Sequence, residues 1–279
     1  MSERAKELDT LKRKLTRKMM KAVRAYDLIA PGDRIMVGVS GGKDSYTLLD
    51  LLSAVRRRSP FEFSIVAVHL DQGQPGYDGR ALEAWLNEYG CEFEIVRQDT
   101  YSIVLELTKP GGTFCAPCSR LRRGILYSTA ERLGCNKIAL GHHRDDTLET
   151  VMMNMFFSGK LQAMPPIYTT DDGRFDVIRP LIECAEGDIA DYASLREFPI
   201  LPCNLCGSQS GLQRVKMAEL LVELEQKIPN VREVMLASLK NVRPTHLLDP
   251  TLSSSRNEVA EAPVAACGPV EEPLISIDG

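Results

Sequence analysis

Apolar residues recur along the chain with two spacings, which alternate from the N-terminus to about residue 160. Leu8, Leu11, Leu15, Met19 and Val23 recur every three or four positions, which predicts a helix over residues 3–27. Short apolar runs rich in β-branched residues predict strands at 34–39, 63–70, 92–97, 137–140 and 176–181. Helical spacing between those runs predicts helices at 45–56, 77–89, 119–133 and 146–156.

This alternation of strands and helices is typical of an α/β protein with a doubly wound, mostly parallel sheet. The predicted strands are apolar on both faces, as strands buried between two helical layers are. After Pro165 and Pro166 the pattern weakens, and helical spacing returns at 187–197, 211–227 and 230–241. We therefore predict four regions: a basic N-terminal helix (1–30), an α/β domain (31–185), a small C-terminal helical region (186–245) and a flexible acidic tail (246–279).

Charge is distributed unevenly, although the net charge of −4 gives no overall nucleic-acid signal. Residues 1–24 hold nine basic and three acidic side chains, whereas residues 256–279 hold one basic and five acidic side chains. The basic N-terminal helix suits a local contact with a polyanion, although a solvated helix face gives the same pattern. No apolar run approaches the ~20 residues of a transmembrane helix, and no signal peptide is recognisable, so we expect a cytoplasmic protein without membrane contact.

The chain has eight cysteines, and in a reducing compartment they are not expected to form disulfides. Four of them form two C-x-x-C pairs, Cys115 with Cys118 and Cys203 with Cys206, a spacing that lets both thiolates face one metal. Four thiolates suit a structural zinc, three suit an iron–sulfur cluster with one open iron, and a bare pair suits a thiol–disulfide relay. The others are assigned to core packing (Cys91, Cys135 and Cys184) or to the tail (Cys267).

The stretch VGVSGGKDS, residues 37–45, places two glycines at the end of a predicted strand. Ligands bind at that end in open α/β sheets, because backbone N–H groups and the next helix N-terminus attract anions there. The stretch is not a Walker A loop, since Val37 replaces the required glycine and Asp44 replaces the required Ser or Thr after Lys43. It resembles instead the SGGxDS signature of the PP-loop ATP pyrophosphatases, with an ordinary glycine-rich turn as the alternative.

The segment LGHHRDDTLET also follows a predicted strand and opens a helix. Its glycine, Gly141, permits a close approach to a nucleotide, and Asp145 and Asp146 are candidate Mg²⁺ ligands. His142 and His143 are either a structural pair or part of the site. The segment resembles the GHHxDD sequences of PP-loop enzymes that act on tRNA.

Several segments together resemble the bacterial enzymes of tRNA 2-thiocytidine synthesis, the TtcA family of PP-loop proteins. They are SGGKDSYTLLD, CSRLRRGILY, ALGHHRDDTLET, MPPI, IRPL and PCNLCGSQ, and the resemblance covers about residues 15–247. The SGGKDS motif marks only the superfamily, whereas CxxCSRLRRGILY with PCNLCGSQ is specific to this branch. Pro117 departs from the family pattern, in which a more flexible residue is usual.

The resemblance implies an enzyme that converts cytidine 32 of the tRNA anticodon loop to 2-thiocytidine with ATP, Mg²⁺ and a 4Fe-4S cluster. It implies that Cys115, Cys118 and Cys206 hold the cluster, with Cys203 as the alternative third ligand. It also implies a cysteine desulfurase as sulfur source and a homodimer. We predict Lys43 and Asp44 as catalytic residues. The predicted nucleotide-binding residues are Ser40, Gly41, Gly42, Lys43, Asp44, Ser45, Gly141 and Asp146.

Two other functions remain open on the sequence. One is a different PP-loop tRNA enzyme, of the lysidine-ligase or 2-thiouridine type; the cysteine pairs argue against the ligase, and PCNLCGSQ argues less firmly against the 2-thiouridine type. The other is a non-catalytic, zinc-stabilised RNA-binding protein. Basic residues expected to contact RNA phosphates, or else to form solvated helix faces, are Lys12, Arg13, Lys14, Arg17, Lys18, Lys21 and Arg56 to Arg58. Arg120, Arg122 and Arg123 either contact RNA or raise the cluster potential.

Overall fold

A computed structural model describes residues 2–108, 114–201 and 213–253, apart from the side chains of residues 115, 116 and 253. The strands are β1 (Arg34–Gly38), β2 (Ser64–Asp71), β3 (Phe93–Arg97), β4 (Lys137–Ala139), β5 (Ile167–Thr169) and β6 (Asp176–Ile178). They form one sheet in the order β3-β2-β1-β4-β6-β5, and every neighbouring pair is parallel except β5 with β6. The predicted α/β fold with a doubly wound, mostly parallel sheet is confirmed.

Helices cover both faces of this sheet. The longer ones are α1 (Glu3–Ala25), α2 (Lys43–Arg56), α3 (Arg80–Tyr89), α4 (Tyr101–Leu107), α5 (Cys115–Arg132), α6 (Arg144–Met153), α7 (Glu186–Arg196), α8 (Gln213–Lys227) and α9 (Val231–Ser238). A π-helical turn, Asn154–Ser158, extends α6. The chain divides into two units, Met1–Leu236 and Ala237–Gly279, and the second contains a 3₁₀ turn (Pro244–His246) and a short helix α10 (Pro250–Ser253).

The core lies on both sides of the sheet because successive side chains of a strand point to opposite faces. Ile35 and Val37 of β1 join the cluster under α1, α2 and α7, whereas Met36 between them joins the cluster under α5. All three side chains are fully buried. This double burial is the physical reason that the strands read as continuous apolar runs.

The N-terminal helix packs on the α/β domain through a buried stripe of Leu15, Met19, Ala22 and Val23. Its position is supported by Asp50 of α2, which is almost fully buried. Asp50 accepts hydrogen bonds from Tyr89, Tyr192 and Arg196 and forms an ion pair with Lys12 of α1. The carboxylate of Asp50 on α2 therefore contacts side chains of α1, α3 and α7.

Helix α4 and strand β5 were absent from the sequence prediction, and so were the 3₁₀ turn Pro244–His246 and helix α10, which lies in the range predicted as a flexible tail. Helix α4 buries only Val104 and exposes Ile103, Leu105 and Leu107, so its apolar residues show no helical spacing. Strand β5 has three residues and lies at the antiparallel edge of the sheet. Within the described residues, no helix is both long and apolar enough to cross a membrane.

Candidate active site

The loop between β1 and α2 is held in a tight anion-binding shape. Gly41 has φ of +85°, and a Cβ there would lie 2.8 Å from Leu201 Cδ1, so a glycine is required for two separate reasons. The Ser45 hydroxyl accepts from the Ser40 N–H (3.1 Å) and donates to the Gly42 carbonyl (2.9 Å). Gly42 is the N-cap of α2, so the loop leads directly into a helix N-terminus. Such a loop can bind phosphate through backbone N–H groups.

Gly141 lies directly against this loop. A Cβ on Gly141 would be 3.0 Å from the Asp44 carbonyl carbon and 3.1 Å from the Ser45 nitrogen. Because Gly141 has no side chain, the segment after β4 can pack directly against the backbone of the phosphate loop. The sequence suggested a close approach of Gly141 to a nucleotide. In the structure Gly141 instead lies close to the backbone of the phosphate loop.

Lys43, at the start of α2, is held by two carboxylates. Its ammonium lies 3.1 Å from Asp44 Oδ1 and 2.9 Å from Glu186 Oε1 of α7. Burial alone would lower the pKa of Lys43, but the hydrogen bond to Glu186 and the nearby charge of Asp44 outweigh it, and the pKa is raised. The side chain stays cationic, as a phosphate-binding group must. Sequence reasoning missed Glu186, which lies 143 residues from Lys43 in the chain.

His143 and Asp146 form a capping box at the start of α6. The His143 N–H donates to Asp146 Oδ2 (3.0 Å), and the Asp146 N–H donates to His143 Nδ1 (3.3 Å). The other ring nitrogen of His143 lies 3.7 Å from Asp44 Oδ1 and 3.4 Å from Asp146 Oδ2. His143 therefore caps α6, and its ring lies close to the carboxylates of both Asp44 and Asp146.

Asp145 is not available to a metal in this arrangement. It is almost fully buried and accepts from Arg232 (2.7 Å), Arg144 (3.1 Å) and the Glu186 N–H (2.8 Å). The buried Oδ1 of Asp44 has fewer partners, since within the described residues it lies 3.1 Å from the Lys43 ammonium and 3.7 Å from His143 Nε2. Among those residues, no three His, Cys, Asp or Glu side chains converge on one metal position.

A cavity of about 280 Å³ opens beside the loop at the C-terminal ends of β1 and β2. Its lining includes Ser40, Gly42, His69, Leu70 and Tyr77. His69 is buried, with Nδ1 2.7 Å from the Val39 carbonyl and Nε2 bonded to the Tyr77 hydroxyl. Burial lowers the pKa of His69, so the ring is neutral and holds Tyr77 in place. The wall is therefore rigid, as a nucleotide pocket requires.

A second cavity, of about 420 Å³, adjoins the first. The two cavities share Arg122, Leu126 and Leu140 as lining residues. Cys118 lines the second cavity, and its thiol donates to the side-chain carbonyl of Gln72 (3.3 Å), which lines the first. Cys118 therefore lies close to the cavity that the phosphate loop borders.

The predicted cysteine ligands are only partly covered by the described residues. Cys115 and Cys118 lie on the first turn of α5, three residues apart, and residues at that spacing share a helix face. The Cys115 side chain, Cys203 and Cys206 lie outside the described residues. Before residues 202–212 the Leu201 N–H donates to the Gly41 carbonyl of the loop (2.9 Å), and after them Arg214 donates to Asp146 of α6 (2.9 Å).

The cysteines assigned to packing behave as predicted where they are described. Cys135 and Cys184 are buried in the core, and Cys91 is half-buried against it. Burial raises the pKa of Cys184 to about 12, which keeps its thiol protonated and unreactive. Cys267 lies outside the described residues.

Several basic residues of α1 already have acidic partners. Lys14 pairs with Asp188 (2.8 Å) and Lys21 with Glu183 (3.6 Å). A cleft between α1 and the end of α2, of about 380 Å³, has basic residues from both elements along its wall. They are Lys12, Arg24, Arg57 and Arg58. Of the basic residues predicted to contact RNA, Lys12, Arg57 and Arg58 therefore line one cleft.

Comparisons with known proteins agree with this geometry. A family model of the PP-loop domain matches residues 11–200. A protein of Sorangium cellulosum named tRNA-cytidine(32) 2-sulfurtransferase is 53% identical over 239 residues, which cover 86% of this chain and 84% of that protein. A protein of the same name from Pseudoalteromonas atlantica is 53% identical over 245 residues, covering 88% and 77%.

Among solved structures, the U34-tRNA thiolase NcsA from Methanococcus maripaludis, with its [4Fe-4S] cluster, superposes with a TM-score of 0.66. The match covers 84% of this chain and 79% of that chain at 24% identity. At that identity the likeness establishes the fold alone.

Proposed function

This chain belongs to the family of tRNA-cytidine(32) 2-sulfurtransferases within the PP-loop proteins, and on that premise we propose that it converts cytidine 32 of tRNA to 2-thiocytidine with ATP. The observation that carries the proposal is the adjacency of two cavities. One is bordered by the phosphate loop and the other by Cys118, and they share three lining residues. Activation of O2 and sulfur donation to C2 can therefore take place on the same base.

The reaction needs ATP because the C2 oxygen of cytosine is a poor leaving group. Attack of O2 on the α-phosphorus of ATP releases pyrophosphate and leaves AMP attached to O2. Sulfide then attacks C2, and AMP departs with the original oxygen. The loop from Ser40 to Ser45 binds the departing pyrophosphate through backbone N–H groups, and the Lys43 ammonium offsets its charge.

The acidic residues beside the loop fit a divalent cation. Asp44 lies 3.1 Å from the Lys43 ammonium and Asp146 accepts from Arg214 (2.9 Å), and His143 Nε2 lies within 3.7 Å of both carboxylates. A divalent cation would take the place of the cationic partners that these two carboxylates already have. Mg²⁺ prefers one or two carboxylates together with substrate phosphates, which suits this pair. When bound there, Mg²⁺ would neutralise phosphate charge; Asp44 and Asp146 would hold it.

The first cysteine pair fits an iron–sulfur cluster in spacing and position. Cys118 is 7% exposed at the edge of the second cavity, and Cys115 precedes it by one helical turn. Cys115, Cys118 and Cys206 would hold the cluster, and when bound it would supply sulfide for the reaction. Of the residues flanking the undescribed range that contains Cys203 and Cys206, Leu201 is bonded to the phosphate loop and Arg214 to Asp146 of α6, which supports a third ligand from that range.

The remaining parts of the proposal concern partners. The substrate is tRNA, held by backbone phosphate contacts along the basic cleft of Lys12, Arg24, Arg57 and Arg58. A cysteine desulfurase as sulfur source, a homodimer and a cytoplasmic location remain predictions from the family resemblance.

The decisive experiment is mass spectrometry of tRNA nucleosides from cells with and without the gene. Loss of 2-thiocytidine, restored by the wild-type gene but not by Lys43→Ala or Cys118→Ala, is the expected result. Loss of a 2-thiouridine instead would identify the other PP-loop thiolation activity. Unchanged nucleosides, together with a colourless zinc-loaded protein, would favour the non-catalytic RNA-binding function.

A further inference from the structure

We propose that the second cavity is the pocket for the target base, with Arg179 and His142 recognising the Watson–Crick edge of cytosine. This inference rests on the proposed function and adds to it the residues that set base specificity. The cavity lies between α5 and the C-terminal ends of β4 and β6. A base held there is next to both Cys118 and the nucleotide cavity.

Arg179 is the central feature of the pocket. It follows β6, is 7% exposed, and lies with its guanidinium carbon 5.1 Å from the centre of the Tyr168 ring. One terminal nitrogen donates to the Pro165 carbonyl (2.7 Å), whereas Nε is buried without a hydrogen-bond partner in the described part of the chain. The guanidinium also interacts with the Tyr168 hydroxyl, so only part of its donor capacity is used. An unpaired buried N–H is costly, so a ligand that supplies a further acceptor is favoured.

His142 provides the second polar group. Burial and the positive charge of Arg179 lower the pKa of His142 to about 4, so the imidazole is neutral at physiological pH. Its Nδ1 is buried and has no hydrogen-bond partner among the described residues. A neutral imidazole nitrogen can accept a hydrogen bond, which a protonated one cannot.

Aromatic residues complete the walls. Tyr127 of α5 and Tyr168 of β5 line the cavity, with their hydroxyl oxygens 3.3 Å apart. Single-stranded RNA bases are commonly recognised by stacking on such rings, with hydrogen bonds to their Watson–Crick edge. A volume of about 420 Å³ is ample for one splayed-out base.

The polarity of these groups matches cytosine rather than uracil. Cytosine presents an acceptor at N3 and an amino donor at C4; uracil presents a donor at N3 and an acceptor at O4. A guanidinium has only donors, so Arg179 satisfies N3 of cytosine and opposes N3–H of uracil. His142 accepts from the cytosine amino group, but it can reverse its tautomer for uracil. Arg179 therefore carries most of the discrimination.

The test measures binding, so it does not depend on thiolation. Short anticodon stem–loop RNAs carrying cytidine or uridine at position 32 are titrated into the cluster-loaded protein with a non-hydrolysable ATP analogue. The wild-type protein is expected to prefer cytidine by about tenfold or more. Arg179→Gln should abolish most of that preference, and His142→Phe should reduce it less. The matched control is Arg174→Gln, since Arg174 also lies over an aromatic ring, Phe175, but outside the cavity.

Arg179→Lys separates base recognition from simple charge. If Arg179 binds an RNA phosphate, the lysine variant restores affinity, and the glutamine variant weakens both RNAs equally with a smaller salt dependence. That result would overturn the proposal. A second measurement uses the wild-type protein only, with 3-deazacytidine at position 32 to remove the N3 acceptor. Unchanged affinity for that RNA would also overturn the proposal, whatever the folding of the variants.

Failure of the inference can be distinguished from failure of the proposed function. If cells lacking the gene keep their 2-thiocytidine, the function is wrong. If 2-thiocytidine is lost but the Arg179 variants keep full preference for cytidine, the function stands and the base pocket lies elsewhere.

Discussion

The Lys43 ammonium of the phosphate loop donates to the Glu186 carboxylate across 2.9 Å, although the two residues lie 143 positions apart. Glu186 opens α7, and its own N–H donates to the buried Asp145. The lysine that is proposed to bind pyrophosphate is therefore paired, before any nucleotide binds, with an acidic group from another element. A phosphate that binds Lys43 must either displace the Glu186 carboxylate or bind more weakly because of its negative charge.

We predict that Glu186→Gln binds ATP about threefold to tenfold more tightly at low salt, since removing a like charge near the phosphates lowers the repulsion. The gain should shrink at high salt, where such interactions are screened. Isothermal titration with a non-hydrolysable ATP analogue measures it. The control is Glu94→Gln, which removes a carboxylate paired with Arg132 on another face. Weaker binding by the Glu186 variant would mean that this carboxylate positions Lys43 rather than competing for it.

Gly141→Ala is predicted to disturb the phosphate loop directly. The new Cβ would meet backbone atoms of Asp44 and Ser45 at 3.0 to 3.1 Å, and backbone cannot move aside as a flexible side chain can. We expect a loss of about 1–3 kcal/mol in the free energy of unfolding and at least a tenfold loss of ATP affinity. Denaturant titration and ATP titration measure the two effects.

The matched control for that substitution is Gly124→Ala in α5. No atom lies within 4 Å of a Cβ built at Gly124, so alanine should raise stability by roughly 0.5–1 kcal/mol through its better helix propensity. If both alanine variants behaved alike, the close contact between Gly141 and the phosphate loop would be contradicted.

The parts of the fold that sequence predicted are those specified locally. The strand before the loop, the glycines and Lys43 are adjacent in the chain, and the two faces of β1 read directly as an apolar run. Helix α4 was missed because it is short and largely exposed, and strand β5 because three residues are too few to show an alternating pattern.

In the candidate site, too, the sequence predicted only the residues that belong to local motifs. Two short motifs indicate a phosphate site, and they contain Lys43, Ser45, Gly141 and Asp146. Glu186 lies 143 residues from Lys43, and Arg214 lies 68 residues from Asp146. No local pattern distinguishes them from other charged residues on helices. Which charges face the loop depends on how α7 and α8 pack, and that is a property of the tertiary structure.

Asp145→Asn should destabilise the protein, because it removes the buried carboxylate between Arg144 and Arg232. Each arginine then keeps one acidic partner that is more exposed, Glu233 for Arg144 and Glu225 for Arg232. The expected loss is about 3 kcal/mol at neutral pH, measured by denaturant unfolding. Burial alone would raise the pKa of Asp145, but the Glu186 N–H and the two arginines outweigh it, so the pKa is lowered.

A carboxyl group with a lowered folded-state pKa stabilises the protein above its unfolded pKa of about 3.9, and that contribution is lost as the pH falls through the folded-state value. The free energy of unfolding of Asp145→Asn should therefore fall less steeply below about pH 5 than that of the wild type. Asp78→Asn is the control, since Asp78 also has a lowered pKa, to about 2, but its pair with Arg80 is exposed. Identical acid profiles for wild type and Asp145→Asn would refute the role of this carboxylate.

The cysteine assignment makes the sharpest prediction about metal content. Cys115→Ala, Cys118→Ala and Cys206→Ala should each lose the iron–sulfur cluster, because a three-thiolate site has no spare ligand. Cys184→Ala should keep the cluster, since that thiol is buried in the core with its pKa raised to about 12. Iron and sulfide analysis of anaerobically purified protein, with the visible absorbance spectrum, measures cluster content independently of activity.

Cys203→Ala decides between the two candidate third ligands. Cluster retained in Cys203→Ala and lost in Cys206→Ala identifies Cys206, and the reverse identifies Cys203. Loss in both variants, with one zinc per chain in the wild type, would indicate four structural thiolates instead. A four-thiolate zinc site has no open coordination position for sulfide, so that outcome would remove the sulfur-donating role from this centre and require sulfur to reach the second cavity by another route.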